Sequence, residues 1–390
     1  MNTRFTNVRV VTPTTIEGRD LLVDAAGRIT ALVDRDSPVP GMLRKVDLGG
    51  QIAFPGMVDV LTHGFGHHLY VDAEADCLAA SSRALPRHGV TAFAPSVTSK
   101  AEADLMAILA ELGRQCGHDD MAGARVLGIH SEGPCFGSAG AHNPDWLQLP
   151  SRRLAEAMID AAEGHLAFVT LAPELPGAED FCRALRAQNV RVHLGHSKAP
   201  ADGVPTYADW GVDGVTHIYD VFTPAEIVEP GRYPYSLADA CLSEPRLGLG
   251  LICDGVHVLP PQVRLLGHLP LDRVFLETDS MKFTGLPPGE FELYPGCVVR
   301  TSDTDAARGP DGTLAGSCLT SDRALRNWVA WTDSDLPRAS HAASLNPARQ
   351  AGRDADLGSL EAGKFADFIV LDDDLQVLAT YVGGSRVYES

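Results

Sequence analysis

Between residues 54 and 350 the chain has eight short runs of Val, Ile and Leu, each followed by polar residues and most of them then by a stretch of helical character. The apolar runs predict buried strands at Val58–Leu61, Thr91–Ala94, Val126–Ile129, Ala167–Leu171, Arg191–Leu194, Gly214–His217, Leu249–Ile252 and Arg273–Glu277. Strands that are apolar along their whole length are typical of parallel sheets covered by helices. The count of eight favours a closed (β/α)8 TIM-like barrel, of the α/β class, over an open doubly wound sheet.

The segments between these runs predict the barrel helices: Ala73–His88, Ala101–Cys116, Arg152–Glu163, Glu179–Gln188, Pro261–Leu269 and Ser321–Thr332. Two places depart from the pattern. The prolines within Ala199–Gly211 predict a short or irregular helix. The long insertion Ser280–Ser317 predicts a hairpin of Phe291–Leu293 with Val298–Thr301, which would serve as a lid or substrate loop.

Both chain ends consist of short strand-like segments separated by Gly and Pro, which is typical of a small β-sandwich. The predicted domains are therefore a sandwich built from residues 1–53 and 351–390 around a catalytic barrel of residues 54–350.

Charge and composition exclude several classes of function. A formal net charge of −19 argues against a nucleic acid partner, which needs clustered Lys and Arg. The eight cysteines have no CxxC spacing, so reduced thiols are expected rather than a disulfide framework. There is neither a basic and apolar leader nor an apolar run of about eighteen residues. These features predict a cytoplasmic protein with no membrane contact.

Four polar residues follow predicted strands at the end where barrel enzymes carry their chemistry: Glu132, His196, His217 and Asp279. One carboxylate and two imidazoles form a three-ligand set with an open position, as hydrolytic zinc sites require. Asp279 is then free to act as a base. Each residue also has a structural interpretation, since a lone His often only forms hydrogen bonds, Glu132 could cap a helix and Asp279 could orient a loop.

Six motifs occur in order between residues 54 and 372: His130-Ser131-Glu132-Gly133-Pro134 with Gly140-Ala141-His142-Asn143-Pro144, Gly195-His196-Ser197-Lys198-Ala199, Thr216-His217-Ile218-Tyr219, Asp254-Gly255-Val256-His257-Val258, Thr278-Asp279-Ser280-Met281, and Gly312-Thr313-Leu314-Ala315-Gly316-Ser317. This series resembles that of the N-acetylglucosamine-6-phosphate deacetylase family in the amidohydrolase superfamily. The resemblance implies a homodimeric enzyme that removes the acetyl group from an N-acetylated amino sugar. The family substrate is N-acetylglucosamine 6-phosphate, which gives glucosamine 6-phosphate and acetate.

The resemblance also implies a role for each residue that matches a motif. It implies one divalent metal ion, zinc or alternatively iron, cobalt or manganese, bound by Glu132, His196 and His217. Asp279 would be the catalytic acid and base, and His142 would lie near the acyl carbonyl. The implied substrate contacts are His257, Tyr219, Asp220, Leu314, Ala315 and His63. For His142 and His257, stabilisation of a loop is the alternative.

Three positions depart from the family pattern. Leu61 stands where the superfamily has the first His of His-x-His, so a second metal ion is left open and His63 is either an extra ligand or a substrate contact. Asp220 and Val228 stand where the family has a neutral amide and a phosphate-binding Arg. These changes keep two alternatives open: hydrolysis of an unphosphorylated N-acetyl sugar or another N-acyl compound, and a sugar-binding protein without activity.

Overall fold

The computed structural model describes residues 2–39, 41–117, 121–222, 229–302, 304 and 306–390. Eight parallel strands form a nearly closed barrel, and neighbours along the chain pair with one another. The ring is completed where Thr62 pairs with Ser280 and the backbone N–H of Asp279 donates to Leu61 O at 2.9 Å. The prediction of a (β/α)8 barrel is confirmed. Its strands are Met57–Thr62, Val90–Val97, Ile129–Glu132, Leu166–Leu171, Arg191–Leu194, Gly214–Val215, Gly248–Ile252 and Val274–Glu277.

The third strand is shifted from the predicted Val126–Ile129 to Ile129–Glu132. The cause is Gly128, whose φ of +114° turns the chain between Arg125–Val126 and the barrel strand. The Arg125–Val126 segment pairs instead beside Ala92 and Phe93. As a result Glu132 is the last residue of a buried strand rather than part of the loop after it.

Helices cover the outside of the barrel. The α-helices span Cys77–Ala84, Glu102–Cys116, Arg152–Ala161, Ala178–Ala187, Val204–Trp210, Leu237–Ser243, Pro260–Leu266, Ser321–Thr332, Leu336–Ser340 and Asn346–Gln350. Shorter helical turns span Tyr70–Asp72, Leu85–His88, Pro144–Trp146, Ala201–Gly203 and His341–Leu345.

The long first helix, predicted over Ala73–His88, is wrong at both ends. Positive φ angles at Ala73 and Asp76 delay its start to Cys77, and the turn that contains Pro86 continues as a 3₁₀ helix. The predicted irregularity over Ala199–Gly211 is confirmed, since a 3₁₀ turn there precedes a helix of seven residues.

The chain ends form two packed sheets, as predicted for the small β-sandwich. One sheet contains Thr3–Thr6, Asp20–Val23, Ile29–Val33 and Arg44–Asp47. The other contains Arg9–Val11, Ile16–Glu17, Ile52–Pro55, Phe368–Leu371, Val377–Val382 and Ser385–Glu389. Phe5 of the first sheet meets Phe368 and Tyr381 of the second edge-on, at centroid distances of 5.0 and 5.2 Å. The two ends of the chain therefore share one apolar core.

The predicted hairpin in the insertion is confirmed. Its strands, Glu290–Tyr294 and Cys297–Thr301, pair antiparallel. They continue into Ala306–Arg308 and Leu314–Ser317 to form a four-stranded sheet. A small two-stranded sheet of Gly64–Phe65 and His68–Leu69 follows the first barrel strand.

In the part of the chain that the structure describes, no disulfide joins any of the cysteines, in agreement with the expectation of reduced thiols. Among the described residues, no helix has both the length and the apolar character needed to cross a membrane.

Candidate active site

A cavity with about 680 Å³ of empty volume opens at the carboxyl ends of the barrel strands. Its walls contain most of the site residues that the sequence singles out. These are His63, Glu132, His142, His196, His217, Asp220, Asp279, Leu314 and Ala315.

Three of these side chains enter the cavity from strained backbone positions. His196, His217 and Asp279 have φ angles of +49°, +35° and +50°. The left-handed conformation costs a residue other than glycine roughly 1–3 kcal/mol, and such residues cluster at functional sites. All three residues line the cavity, so the strained backbone positions lie at the site itself.

Glu132, His196 and His217 form a buried group with the geometry of a metal site. Glu132 Oε1 lies 2.9 Å from His217 Nε2 and 3.2 Å from His196 Nε2. His196 Nδ1 donates its proton to Ser138 O at 3.0 Å, so Nε2 of the neutral ring presents a lone pair to the carboxylate. Two acceptors facing each other repel unless a cation lies between them, so this donor set fits a divalent ion.

His63 joins a second buried group with Glu132 and Asp279. Its Nε2 lies 3.1 Å from Glu132 Oε2 and 3.1 Å from Asp279 Oδ1, while Nδ1 donates to Ser96 O at 3.0 Å. Burial lowers the pKa of His63, but hydrogen bonds to both carboxylates outweigh burial and raise it to about 10. The side chain of Leu61 is buried in the barrel core and does not line the cavity.

His142 is held as a hydrogen-bond donor. The backbone N–H of Ser99 donates to His142 Nδ1 at 3.1 Å, so the proton of the neutral ring lies on Nε2. That Nε2–H donates to Glu132 Oε2 at 3.1 Å. Burial lowers the pKa of His142, which favours this neutral form. The ring can therefore offer this proton to an electronegative atom of a ligand only in exchange for its hydrogen bond to Glu132.

Two buried carboxylates below the cavity were not singled out from the sequence. Thr278 Oγ1 donates to Asp59 Oδ2 at 2.6 Å, and the backbone N–H of His217 donates to Glu277 Oε1 at 2.6 Å. Burial raises the pKa of Asp59 to about 7 and that of Glu277 to about 8. Gly250 makes room for the second of them, because a Cβ there would collide with Glu277 Oε1. The only signal in the sequence for either carboxylate is that Glu277 ends a barrel strand two residues before Asp279.

Three residues at the mouth of the cavity were also missed. Lys100 follows the second barrel strand, Trp146 lies four residues after His142, and Tyr294 belongs to the inserted hairpin. They come from distant parts of the chain. The predicted substrate loop includes Tyr294, but nothing in the sequence points to Lys100 or Trp146.

Two predicted substrate contacts lie outside the cavity wall. Tyr219 and His257 are not among its lining residues. The side chain of His257 is only 1% exposed, and its Nδ1 lies 2.6 Å from Asp254 Oδ2, while Nε2 has no hydrogen-bond partner among the described residues. Val228, at the position of the expected phosphate-binding Arg, lies outside the described residues.

Comparison with known proteins gives matches over almost the whole chain. Residues 52–387 match the amidohydrolase family. N-acetylgalactosamine-6-phosphate deacetylase of Escherichia coli O157:H7 is 34% identical over 89% of this chain and 90% of its own length. N-acetylglucosamine-6-phosphate deacetylase of Vibrio furnissii is 32% identical over 94% of this chain and 90% of its own length.

Solved structures agree with this result. N-acetylglucosamine-6-phosphate deacetylase from Pasteurella multocida superposes with a TM-score of 0.89 at 25% identity, covering 100% of both chains. A mutant of the Mycobacterium smegmatis deacetylase in complex with N-acetyl-D-glucosamine-6-phosphate gives a TM-score of 0.88 at 28% identity, covering 99% of both chains.

Proposed function

The chain belongs to the amidohydrolase family, and from this premise we propose that it is a metal-dependent hydrolase that removes the acetyl group from an N-acetylated amino sugar. The proposed substrate is N-acetylglucosamine 6-phosphate, which gives glucosamine 6-phosphate and acetate. The observation that carries the proposal is the convergence of Glu132, His196, His217 and Asp279 on one cavity. The names of relatives that cover about nine-tenths of the chain support the same reaction class.

We assign the metal to Glu132, His196 and His217, with zinc as the ion and iron, cobalt or manganese as alternatives that a carboxylate and two imidazoles also accept. Such an ion, when bound, acidifies water and polarises an acyl carbonyl.

Asp279 and His142 would carry out the proton chemistry. The Asp279 carboxylate lines the cavity, where it would accept the proton of the attacking water and pass it to the leaving amine. As negative charge develops on the acyl oxygen, His142 Nε2–H would exchange its hydrogen bond with Glu132 Oε2 for one with that oxygen. The contact between Ser99 and His142 Nδ1 supports this role, because it keeps the proton on Nε2.

The remaining predicted contacts would position the sugar. Leu314, Ala315 and Asp220 line the cavity and would contact the substrate directly, and His63 would orient Asp279 from 3.1 Å. Tyr219 and His257 do not line the cavity and would act through residues that do.

Two alternative substrates are each favoured by one observation. The relative with 34% identity acts on the galacto epimer, so N-acetylgalactosamine 6-phosphate is one candidate. The carboxylate of Asp220 lines the cavity and would repel a phosphate, which favours an unphosphorylated N-acetylhexosamine as the other.

Acetate release from the zinc-loaded protein tests the proposal. The substrates are both N-acetylhexosamine 6-phosphates, both unphosphorylated sugars and an N-acetyl amino acid. We expect the highest kcat/KM with N-acetylglucosamine 6-phosphate. Faster release from another N-acetyl compound would change the substrate assignment, and no release from any of them with metal bound would refute the proposed function.

We further propose a homodimer that works in the cytoplasm. Tyr233 and Tyr235 support an interface, because they are 88% and 57% exposed on one loop. Light scattering on the purified protein tests the dimer.

A further inference from the structure

The charges around the cavity are unevenly distributed. Its lining residues include the carboxylates Glu132, Asp220 and Asp279, and Lys100 contributes the single Lys or Arg side chain among the described lining residues. Glu132 and Asp279 lie within hydrogen-bonding distance of imidazoles on the floor. A fixed positive charge is therefore present at one place in an otherwise acidic cavity.

Lys100 is held in place by its surroundings. Its ammonium group lies 4.3 Å from the centroid of the Trp146 ring, and Trp146 meets Tyr294 edge-on at 5.4 Å. Gln148 Nε2 donates to the Lys100 carbonyl at 3.0 Å and fixes the backbone. A cation over an aromatic face is attracted by the ring but keeps its N–H donors available to a ligand.

Among the described residues, Lys100 forms no ion pair with a carboxylate. Asp72 is the acid it influences: partial burial raises the pKa of Asp72, and Lys282 and Lys100 oppose that rise. Lys100 is consequently a cation without a close counter-charge. Lysine is a common point-charge partner of phosphate.

The partial exposure of Lys100 suits contact with the far end of a bound amino sugar. Glu132, His196, His217 and Asp279 are buried, whereas Lys100, Trp146 and Tyr294 are half-buried, which places these three toward the opening of the cavity. A substrate whose acetamide reaches the floor must extend its opposite end toward the mouth. An aromatic ring there offers a flat apolar surface, of the kind that suits the C–H face of a sugar ring.

We propose that Lys100, supported by Trp146 and Tyr294, forms an anion subsite that binds the phosphate of a phosphorylated N-acetylhexosamine. This inference rests on the proposed function. It makes Lys100 a specificity-determining residue for the phosphorylated substrate, in a chain that has Val228 at the position of the family Arg.

The test compares Lys100→Met and Lys100→Arg in the metal-loaded protein, with N-acetylglucosamine and its 6-phosphate as substrates. We expect Lys100→Met to lower kcat/KM for the 6-phosphate about 10- to 100-fold, mostly through KM, because it removes a charged hydrogen-bond donor. Activity on the unphosphorylated sugar should stay within about twofold, and Lys100→Arg should recover most of the loss. Lys282→Met is the matched control, since it removes a nearby lysine that does not line the cavity.

An equal loss on both substrates would overturn the subsite, because it would mean that the change acts through the neighbouring Ser99 and His142. No loss of kcat/KM on the 6-phosphate would overturn the subsite as well.

A binding measurement separates failure of the subsite from failure of the proposed function. If the wild-type protein hydrolyses neither sugar, calorimetry with glucosamine 6-phosphate and glucosamine still measures how much Lys100 contributes to binding of the phosphate. The subsite predicts that the phosphate strengthens binding to wild-type protein and not to Lys100→Met, and equal phosphate dependence in both would refute it.

Discussion

Replacement of Glu277 by leucine should weaken metal binding while leaving the fold intact. Glu277 does not line the cavity, yet its Oε1 accepts the backbone N–H of His217 at 2.6 Å. His217, a proposed metal ligand, is held at φ +35°, which is a strained position for this residue. The hydrogen bond to Glu277 thus fixes the backbone from which the imidazole reaches the metal site.

The size of the effect follows from the group left behind. A leucine side chain in place of Glu277 could not accept the His217 N–H, and an unsatisfied buried donor costs about 1–3 kcal/mol. Relaxation of His217 from its strained conformation would avoid that cost but would move the imidazole away from Glu132 and His196. Since about 1.4 kcal/mol corresponds to a factor of ten, the metal dissociation constant should rise about 5- to 150-fold.

Stability should respond differently from metal binding. Glu277 is a buried carboxyl with only one of its oxygens hydrogen-bonded among the described residues, and burial of such a group is unfavourable. A leucine there adds apolar burial, so the metal-free variant should melt at or near the temperature of the metal-free wild type.

Competition with a chelating dye measures the metal affinity, and thermal melting with and without zinc measures the stability. Glu277→Gln is the matched control, because its amide oxygen can still accept the His217 N–H. The reasoning would be refuted if the leucine variant bound zinc as tightly as the glutamine variant, or if both lost the same affinity.

Three further predictions concern the chemistry and the ion pair between Arg125 and Asp367. Asp279→Asn should lower kcat by about 10²- to 10⁴-fold with zinc content unchanged by elemental analysis, and full activity would exclude Asp279 as the acid and base. His142→Phe should lower kcat about 10²- to 10³-fold with a small change in KM, whereas an effect confined to KM would argue against stabilisation of the acyl oxygen. Asp367→Asn should destabilise the protein by about 1–3 kcal/mol in urea unfolding, because Asp367 accepts two hydrogen bonds from Arg125 of the barrel at 2.8 and 3.1 Å, and an unchanged unfolding midpoint would contradict this.

The fold was predictable because hydrophobic periodicity reports burial, and burial on both faces is what a parallel barrel strand requires. The third strand was misplaced because periodicity does not report where a chain turns. The shift depends on Gly128, whose positive φ separates Val126 and Leu127 from Ile129, although the three apolar residues read as one continuous run. The first helix was overextended for a similar reason, since nothing in the sequence around Ala73 and Asp76 marks their left-handed backbone.

The site likewise contains residues that the sequence predicts and residues that it does not. Glu132, His196, His217 and Asp279 each follow an apolar run, so their meeting at one end of the barrel could be deduced from the sequence. Lys100 could not be assigned in this way, because its place above Trp146 depends on how two loops cross in space. Contacts between a side chain and distant backbone, such as that between Glu277 and His217, leave no pattern in the sequence.

The partners of Glu132 bear on how many ions the site can hold, a point that Leu61 and His63 left open. Its two oxygens serve different groups: Oε1 faces His196 and His217, and Oε2 lies 3.1 Å from both His63 and His142. An ion bound on the Oε1 side leaves the hydrogen bond from His142 to Oε2 in place. An ion on the His63 side would compete with that hydrogen bond for Oε2 and would have only His63, Glu132 and Asp279 as ligands, because Leu61 has no donor atom in its side chain. It would also engage Asp279, the proposed proton acceptor. The arrangement therefore favours one tightly bound ion at Glu132, His196 and His217, with His63 as a hydrogen-bonding partner of the two carboxylates.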